Sequence, residues 1–386
     1  MYDRTRLDEW VALRRDLHAH PELGFEEHRT AGIVAERLAE AGYRVRCGLG
    51  QTGVVGSMTR GGGSRSILLR ADMDALAMTE CKGRSHGSTI DGKMHACGHD
   101  GHTVMLLAAA EKIAALDFDG TVHLVFQPAE EGRGGAAAMV ADGLLDEFPA
   151  DAAYGLHNMP DLPLGVIAAV EGPQLASSDS WEAAFRGVGS HGAKPHQGRD
   201  AVTAAGVFLG QLPGIVAREV DPLQSAVVSA CALSAGDFAA LNVIPAEVRV
   251  GGTARAYSAA MRDHLEEAIG RQAQGVASSW GIEADYRFIR RIPPVVNDPG
   301  PVAVARRAVV KALGGEALQT VFPPSTAGDD FAEFSARVPG AYVWLGMGPS
   351  VETGVHHSPR YDFNDACMSA GIEYWCAVVA EELGAK

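Results

Sequence analysis

The sequence predicts an α/β protein, with a mostly parallel-sheet domain over residues 1–176 and 292–386 interrupted by an inserted ferredoxin-like α+β domain over residues 177–291. Three observations carry that expectation. In the first half of the chain, short apolar runs alternate with longer helical ones, the pattern of a parallel sheet covered by helices. Between about Ser177 and Arg291 the rhythm changes to strand, helix, strand, strand, helix, strand, the order of a split βαβ unit. The full length of 386 residues also exceeds what one hydrophobic core serves at ~150 residues per domain.

The chain opens on an amphipathic helix over residues 5–19, with Leu7, Trp10, Val11, Leu13 and Leu17 near helical spacing and Pro21 as its stop. Strands are expected at Ile67–Ala71, Thr121–Gln127, Ala152–Leu156 and Ala341–Gly346, with helices at His102–Leu116 and Gly135–Leu145. Histidines and acidic residues follow these runs, where open α/β sheets place their ligands. In the insert, Trp181–Arg186, Ala226–Leu233, Val248–Arg255 and Glu283–Ile289 read as strands. Asp200–Val220, with a kink expected at Pro213-Gly214, and Ala259 to about Ser279 read as helices. The flanks Ser177-Ser178-Asp179-Ser180 and Ile292-Pro293-Pro294 read as hinges rather than strands.

Composition narrows the function. At 47% apolar and 21% charged the chain buries a large core. Its 33 Lys and Arg against 48 Asp and Glu leave a formal charge of −15, which repels nucleic acid and anionic lipid. Charges alternate from Met1 to Trp10, where a signal peptide would be apolar, and no run approaches the ~18 uninterrupted apolar residues of a membrane span. A cytoplasmic protein without membrane association is expected. The six cysteines include no C-x-x-C pair and do not suggest a disulfide framework; most are expected to be buried hydrophobes, with Cys97 apart. The 46 glycines, about one in eight against a usual ~7%, imply many tight turns.

The densest chemical signal is Met94-His-Ala-Cys-Gly-His-Asp-Gly-His102, which runs into a helix. Thiolate and imidazole suit borderline-soft divalent metals, and Cys97-x-His99 offers both to one site. The plain alternative is a buried Cys with a helix-capping Asp100. A third is a Cys nucleophile activated by His99, which their close spacing in a glycine-containing turn disfavours. In Phe126-Gln-Pro-Ala-Glu130-Glu131-Gly132 two adjacent carboxylates follow a strand. A solvated edge explains many such pairs, but neighbours on extended chain face opposite sides, so one carboxylate can ligate a metal while the other acts as general base. Gly132-Arg-Gly-Gly135 lacks a following Lys-Ser/Thr and reads as a tight turn, not a phosphate cradle. His157 and the pair His356-His357 also follow strands. A lone histidine there is usually structural, but one Cys, one Glu and three His together form a ligand inventory for two metal ions. The long interval between His157 and His357 makes the second domain an insertion rather than an appendage.

A resemblance over almost the whole chain rests on several segments. These are Leu17-His-Ala-His-Pro-Glu-Leu-Gly24, Arg70-Ala-Asp-Met-Asp-Ala-Leu76, Met94–His102, Phe126–Glu131, Gly189-Ser-His-Gly-Ala-Lys-Pro-His196, Asn242-Val-Ile-Pro245 and His357-Ser-Pro-Arg-Tyr-Asp-Phe-Asn-Asp365. On them the chain resembles the metal-dependent amidohydrolases of the hippurate hydrolase, aminoacylase and indole-3-acetyl-amino-acid hydrolase group, in the wider superfamily of dinuclear metallopeptidases. The resemblance implies a pair of divalent ions held by Cys97, His99, Glu131, His157 and His357, with Glu130 as general base. It also implies hydrolysis of an N-acyl amino acid to a carboxylic acid and a free amino acid. Where the superfamily has His-x-Asp this chain has Asp72-Met73-Asp74. Asp74 then takes an orienting role behind a ligand, and Cys97 supplies the compensating donor. His357 aligns as the last ligand in preference to His356.

The insert becomes a lid and dimerisation domain, implying a homodimer or a dimer-based oligomer. His191 would reach the scissile carbonyl from the partner's lid, and Asn242 and Arg255 would hold the substrate carboxylate, which arginine's planar fork matches. An ordinary strand-face charge is the alternative for Arg255 and a surface residue for His196. His18 and His20, at the end of the first helix, read as structural. Zinc fits the ligand softness, with manganese, cobalt or nickel as other occupants. The rivals are a di- or carboxypeptidase of the same superfamily and a non-catalytic metal- or amino-acid-binding protein, against which the spare carboxylate of Glu130 argues.

Overall fold

The computed structural model describes residues 4–384. The chain divides into two compact units, one of Met1–Gln174, Val296–Pro323 and Asp329–Lys386, the other of Leu175–Val295 and Pro324–Gly328.

The first unit is built on an eight-stranded sheet in the order Arg44–Leu49, Gly53–Arg60, Gly120–Gln127, Ser66–Asp72, Ala152–Met159, Gly340–Gly346, Ile167–Ala168, Leu318–Gln319. The run from Gly120–Gln127 to Gly340–Gly346 is parallel, and the first two strands are added antiparallel. Its middle strands are buried on both faces, as in Gly340–Gly346, where every residue is buried. Helices on both sides of a parallel sheet demand this, and it explains why these strands read as continuous apolar runs without alternation. The core joins Val122, Leu124 and Phe126 to Met105 and Leu106 of helix His99–Ile113 and to Trp375 and Val378 of helix Met368–Leu383. Asp72, Gln127 and His157 all sit at or near the carboxyl ends of parallel strands, the edge where such sheets bind ligands.

Several boundaries differ from the expectation. The helix expected from His102 starts at His99, because Gly98 at φ +90° turns the chain into it at once. The expected Gly135–Leu145 helix is two, Gly135–Ala141 and Leu144–Glu147, broken at Gly143 with φ +88°. Ser178, Asp179 and Ser180 belong to a strand, Ser178–Arg186, and Ile292 ends another, Glu283–Ile292. The polar flank is not a hinge because Asp179 is buried in a bidentate ion pair with Arg262, at 2.8 and 2.6 Å.

The second unit has the sheet order Ala226–Ala235, Glu247–Ala256, Ser178–Arg186, Glu283–Ile292, all antiparallel, which is the split βαβ arrangement. Helices Ala201–Glu219 and Ala259–Trp280 pack against it around Trp181, Phe185, Phe208 and Leu265. Pro213 lies inside the first of these without ending it. By length and composition alone that helix is long and apolar enough to cross a membrane, at mean hydropathy 1.3 over an 18-residue window, although Thr203, Gln211 and Pro213 interrupt its apolar run. Its charges, Arg218 and Glu219, stand at its end, but Ala201, Ala204, Phe208, Leu212 and Ile215 are spent on the unit's own core.

The cysteines also depart from expectation. All six are free, and only Cys97, Cys367 and Cys376 are buried, while Cys47, Cys81 and Cys231 are exposed. Cys47 and Cys231 lie on exposed positions of edge strands, where little packs over them.

Candidate metal centre

Left-handed Gly98 separates Cys97 from His99, and this is what lets two residues so close in sequence point to one place. A Cβ at Gly98 would collide with Asn158 and Tyr361, so the turn accepts only glycine. The spacing that looked awkward for a thiol and an imidazole is therefore productive. Cys97 Sγ lies 3.5 Å from His157 Nε2, and ligand atoms of Cys97, His99 and His157 fall within 4.8 Å of one another. A second set, Cys97, Glu131 and His357, meets the same limit and shares the thiol. His357 has φ +59°, and its backbone N–H donates to Ala96 O at 2.8 Å, which brings its Nε2 to 3.3 Å from Glu131 Oε1. His356 faces elsewhere, with Nε2 2.7 Å from Asn158 Oδ1, and burial pushes its pKa down to about 3.

The ring tautomers follow from the acceptors behind them. His157 Nδ1 donates to Asn158 O at 2.7 Å, and His99 Nδ1 faces Asp74 Oδ1 at 3.2 Å, so each keeps an Nε2 lone pair. His99 Nε2 is buried without a hydrogen-bond partner, and Glu131 Oε1 has only the His357 ring beside it, in poor hydrogen-bond geometry. Orphaned polar atoms of this kind, in a set that offers sulfur, nitrogen and oxygen, fit a borderline-soft divalent cation. Burial raises the pKa of the Cys97 thiol, the reverse of what an activated nucleophile needs.

Glu130 and Glu131 do not lie on extended chain. They sit in the turn Glu130–Arg133 that follows the strand, and Ala129 before them has φ +54°. The alternation argument therefore does not apply; the turn brings both carboxylates within 4.8 Å of the His99 ring nitrogen. Glu130 is buried, and burial, reinforced by Asp329 and Glu131, holds its pKa well above the carboxylate range.

Four functional neighbours had no place in the sequence reading. Asp329 and Asp330 lie within 4.8 Å of Glu130, another adjacent carboxylate pair and so the same kind of signal as Glu130-Glu131. Burial pushes Asp330 up to about 8. Fully buried Arg70, two residues before Asp72, bonds Asp72 at 2.7 Å, Asp329 at 3.0 Å and Asp330 at 3.3 Å. Burial opposes ionisation of Asp72, yet Arg70, His99 and His102 hold its pKa well below normal. His102, one turn along the helix from His99, donates from Nδ1 to Asp72 at 2.6 Å and accepts the Asn158 N–H on Nε2 at 3.0 Å. Both its nitrogens are engaged, so it braces the site rather than offering a ligand.

The remaining candidates lie in the second unit. His191 is exposed in a two-residue strand, Ser190–His191, opposite Val243, and Gly192 N–H donates to Asn242 O at 2.7 Å, so His191 and Asn242 are brought together. His191 Nδ1 accepts the Ala193 N–H at 3.0 Å, which puts the ring proton on Nε2. Arg255 is half-buried, with Nη1 donating to Ala254 O at 2.9 Å and to Thr253 Oγ1. His196 is exposed in the single turn Pro195–Gln197.

Ligand sets that share one thiol, with an unused buried carboxylate beside them at the carboxyl edge of an α/β sheet, define a metal-dependent hydrolase. The model of peptidase family M20/M25/M40 matches residues 68–381, and the chain belongs to that family. It is 38% identical to the hippurate hydrolase of Campylobacter jejuni over 376 residues, 97% of each chain. It is 33% identical to an N-acetylcysteine deacetylase of Bacillus subtilis over 378 residues, again 97% of each. Among solved structures, the Bacillus subtilis YXEP protein, described as a dinuclear metal binding peptidase from the M20 family, matches with a TM-score of 0.85 at 31% identity over 98% of each chain. The chain is a metal-dependent amidohydrolase with sites for two divalent ions.

Proposed function

We propose that the protein hydrolyses the amide bond of an N-acyl amino acid, releasing a carboxylic acid and the free amino acid. The observation that carries this reading is Glu130, a buried carboxylate that lies outside the two sets sharing Cys97 yet within 4.8 Å of the His99 and Glu131 ligand atoms. Cys97, His99, Glu131, His157 and His357 hold the two ions, zinc first on ligand softness and manganese, cobalt or nickel as alternatives. Bound there, the ions supply Lewis acidity at the amide carbonyl. Glu130, ionised, takes the proton of the attacking water and carries it to the leaving amine; burial and the carboxylates around it raise its pKa and so its proton affinity, and two cations at the ligand sets would favour the ionised form that the first step needs. Asp74 keeps His99 and the Glu131 backbone in place.

His191 donates to the developing oxyanion, and Asn242 and Arg255 receive the substrate carboxylate. With an overall charge of −15, the local field of the cations and Arg255 is what attracts an anionic substrate. The second unit serves as lid and as the interface of a homodimer. Its sheet ends on the ten-residue edge strand Ala226–Ala235, and Leu233 and Leu241 are exposed at 58% and 81%, apolar surface suited to a second copy. Six free thiols accord with a reducing, cytoplasmic setting.

Amine release from N-acetyl and N-benzoyl amino acids, measured beside free dipeptides and before and after chelation, tests the reading together with metal analysis. N-acyl substrates should turn over and chelation should stop them. Preference for dipeptides would make the enzyme a peptidase, and no turnover by metal-loaded protein would make it a binding protein.

A further inference from the structure

Three residues beyond the matched segment Leu17–Gly24 lies a buried carboxylate whose partners are distant in sequence. Glu27 is wholly buried, and burial lifts its pKa to about 7. It occupies the N-cap position of helix His28–Glu40, where Asp, Asn, Ser or Thr would turn back onto the first helical N–H groups. It makes no such bond. Glu22 accepts the N–H groups of Arg29 and Thr30 in its stead, each at 2.8 Å. Glu27 reaches away from its own helix, with Oε1 accepting the Ala129 N–H at 2.8 Å and Oε2 accepting the Thr52 hydroxyl at 2.6 Å.

Ala129 is the residue immediately before Glu130, and it holds the left-handed conformation that side-chain-bearing residues seldom adopt. The N-terminal segment presses against it closely enough that a Cβ on Gly24 would stand 2.9 Å from Ala129 Cα. At the far end of the turn the Glu131 N–H is held by Asp74 Oδ2 at 2.9 Å. The turn Ala129-Glu130-Glu131 is thus suspended between two buried carboxylates. The site geometry gives Asp74 its purpose; the hydrogen bonds of Glu27 run only to this backbone and to Thr52, and Asp74 acts on it through charge alone.

We infer that Glu27 is a positioning residue for the hydrolysis: by accepting the Ala129 N–H it holds the left-handed turn that aims the Glu130 carboxylate. The inference rests on the reading of Glu130 as proton carrier. Released from its acceptor, Ala129 relaxes toward the right-handed region and swings Glu130 off its line, and displacement of about 1 Å in a catalytic group costs up to ~10²-fold in rate.

The test compares metal-loaded Glu27→Asp, which keeps the charge but is one methylene too short to reach Ala129, with Glu27→Gln, which keeps the reach and an acceptor oxygen. Glu27→Asp should lower kcat at least ~tenfold at unchanged KM and full metal content, and Glu27→Gln should restore kcat to within about threefold of wild type. Wild-type kcat in Glu27→Asp overturns the inference. So does a loss in either variant that follows lost metal or lost fold, because that makes Glu27 merely structural. Glu130→Gln is run beside them: if it still turns over, the general-base reading fails, whereas an inactive Glu130→Gln with an unimpaired Glu27→Asp removes the role of Glu27 alone.

Discussion

Asp74 stands behind His99, its Oδ1 3.2 Å from the ring Nδ1, while its other oxygen holds the Glu131 N–H at 2.9 Å. One buried carboxylate thereby fixes the tautomer of one candidate ligand and the backbone of another. Asparagine cannot accept at both ends, so Asp74→Asn should weaken metal binding by roughly 10–100-fold. Competition against a chelator of known affinity measures this, and an affinity equal to wild type would show that Asp74 orients neither ligand.

Glu130 and Cys97 should separate cleanly. Glu130→Gln is expected to keep both ions and lose about 10²–10⁴ in kcat. Cys97→Ala removes the one donor common to both ligand sets and should lose metal first and activity with it. Metal content and turnover measured on the same preparations decide the point, and the reverse pattern would exchange the two roles.

The strands were legible in the sequence because parallel strands buried on both faces read as unbroken apolar runs; Glu131 follows such a run and His157 lies inside one, whereas Cys97 and His99 stood out by residue type at the start of a helix. Convergence was not legible. Whether Cys97 and His99 meet depends on the sign of φ at Gly98, and whether Glu130 and Glu131 face one ring depends on φ at Ala129, a residue type that carries no turn signal. Periodicity is blind to both. Arg70, Asp329 and Asp330 escaped for a different reason: beside its near neighbour Asp72, Arg70 is held by Asp329 and Asp330, some 260 residues along the chain.

His18 should make stability depend on pH. It is fully buried, with Nδ1 2.9 Å from Asp100 and Nε2 3.4 Å from Glu80. Burial alone would strip its proton, but Asp100, then Glu80, outweigh burial and neighbouring Arg14, and the pKa rises to about 9. His86 and His95 pack against the same ring. A histidine pKa above its unfolded value near 6.5 stabilises the fold fully below that value and loses the contribution as pH climbs through about 9. The loss is on the order of 3 kcal/mol. Urea unfolding at pH 6.5 and 9.5 should show a fall in wild type that is smaller in His18→Gln, and identical falls would remove His18 as the cause.

His191 tests what the second unit contributes to the chemistry. It is exposed, its ring proton lies on Nε2, and it stands beside Asn242 on a two-stranded ribbon rather than in the core. Replacing it by alanine should therefore leave folding and metal content intact. If it donates to the oxyanion, the cost falls on kcat, at about 10²–10³, with little change in KM. If the donor comes from the partner's second unit, mixing His191→Ala with an otherwise inactive Glu130→Gln chain should restore part of the activity, because a mixed dimer pairs an intact Glu130 with an intact His191. Recovery on mixing, measured against either variant alone, establishes the exchange; no recovery in demonstrated mixed dimers places His191 in its own chain's site.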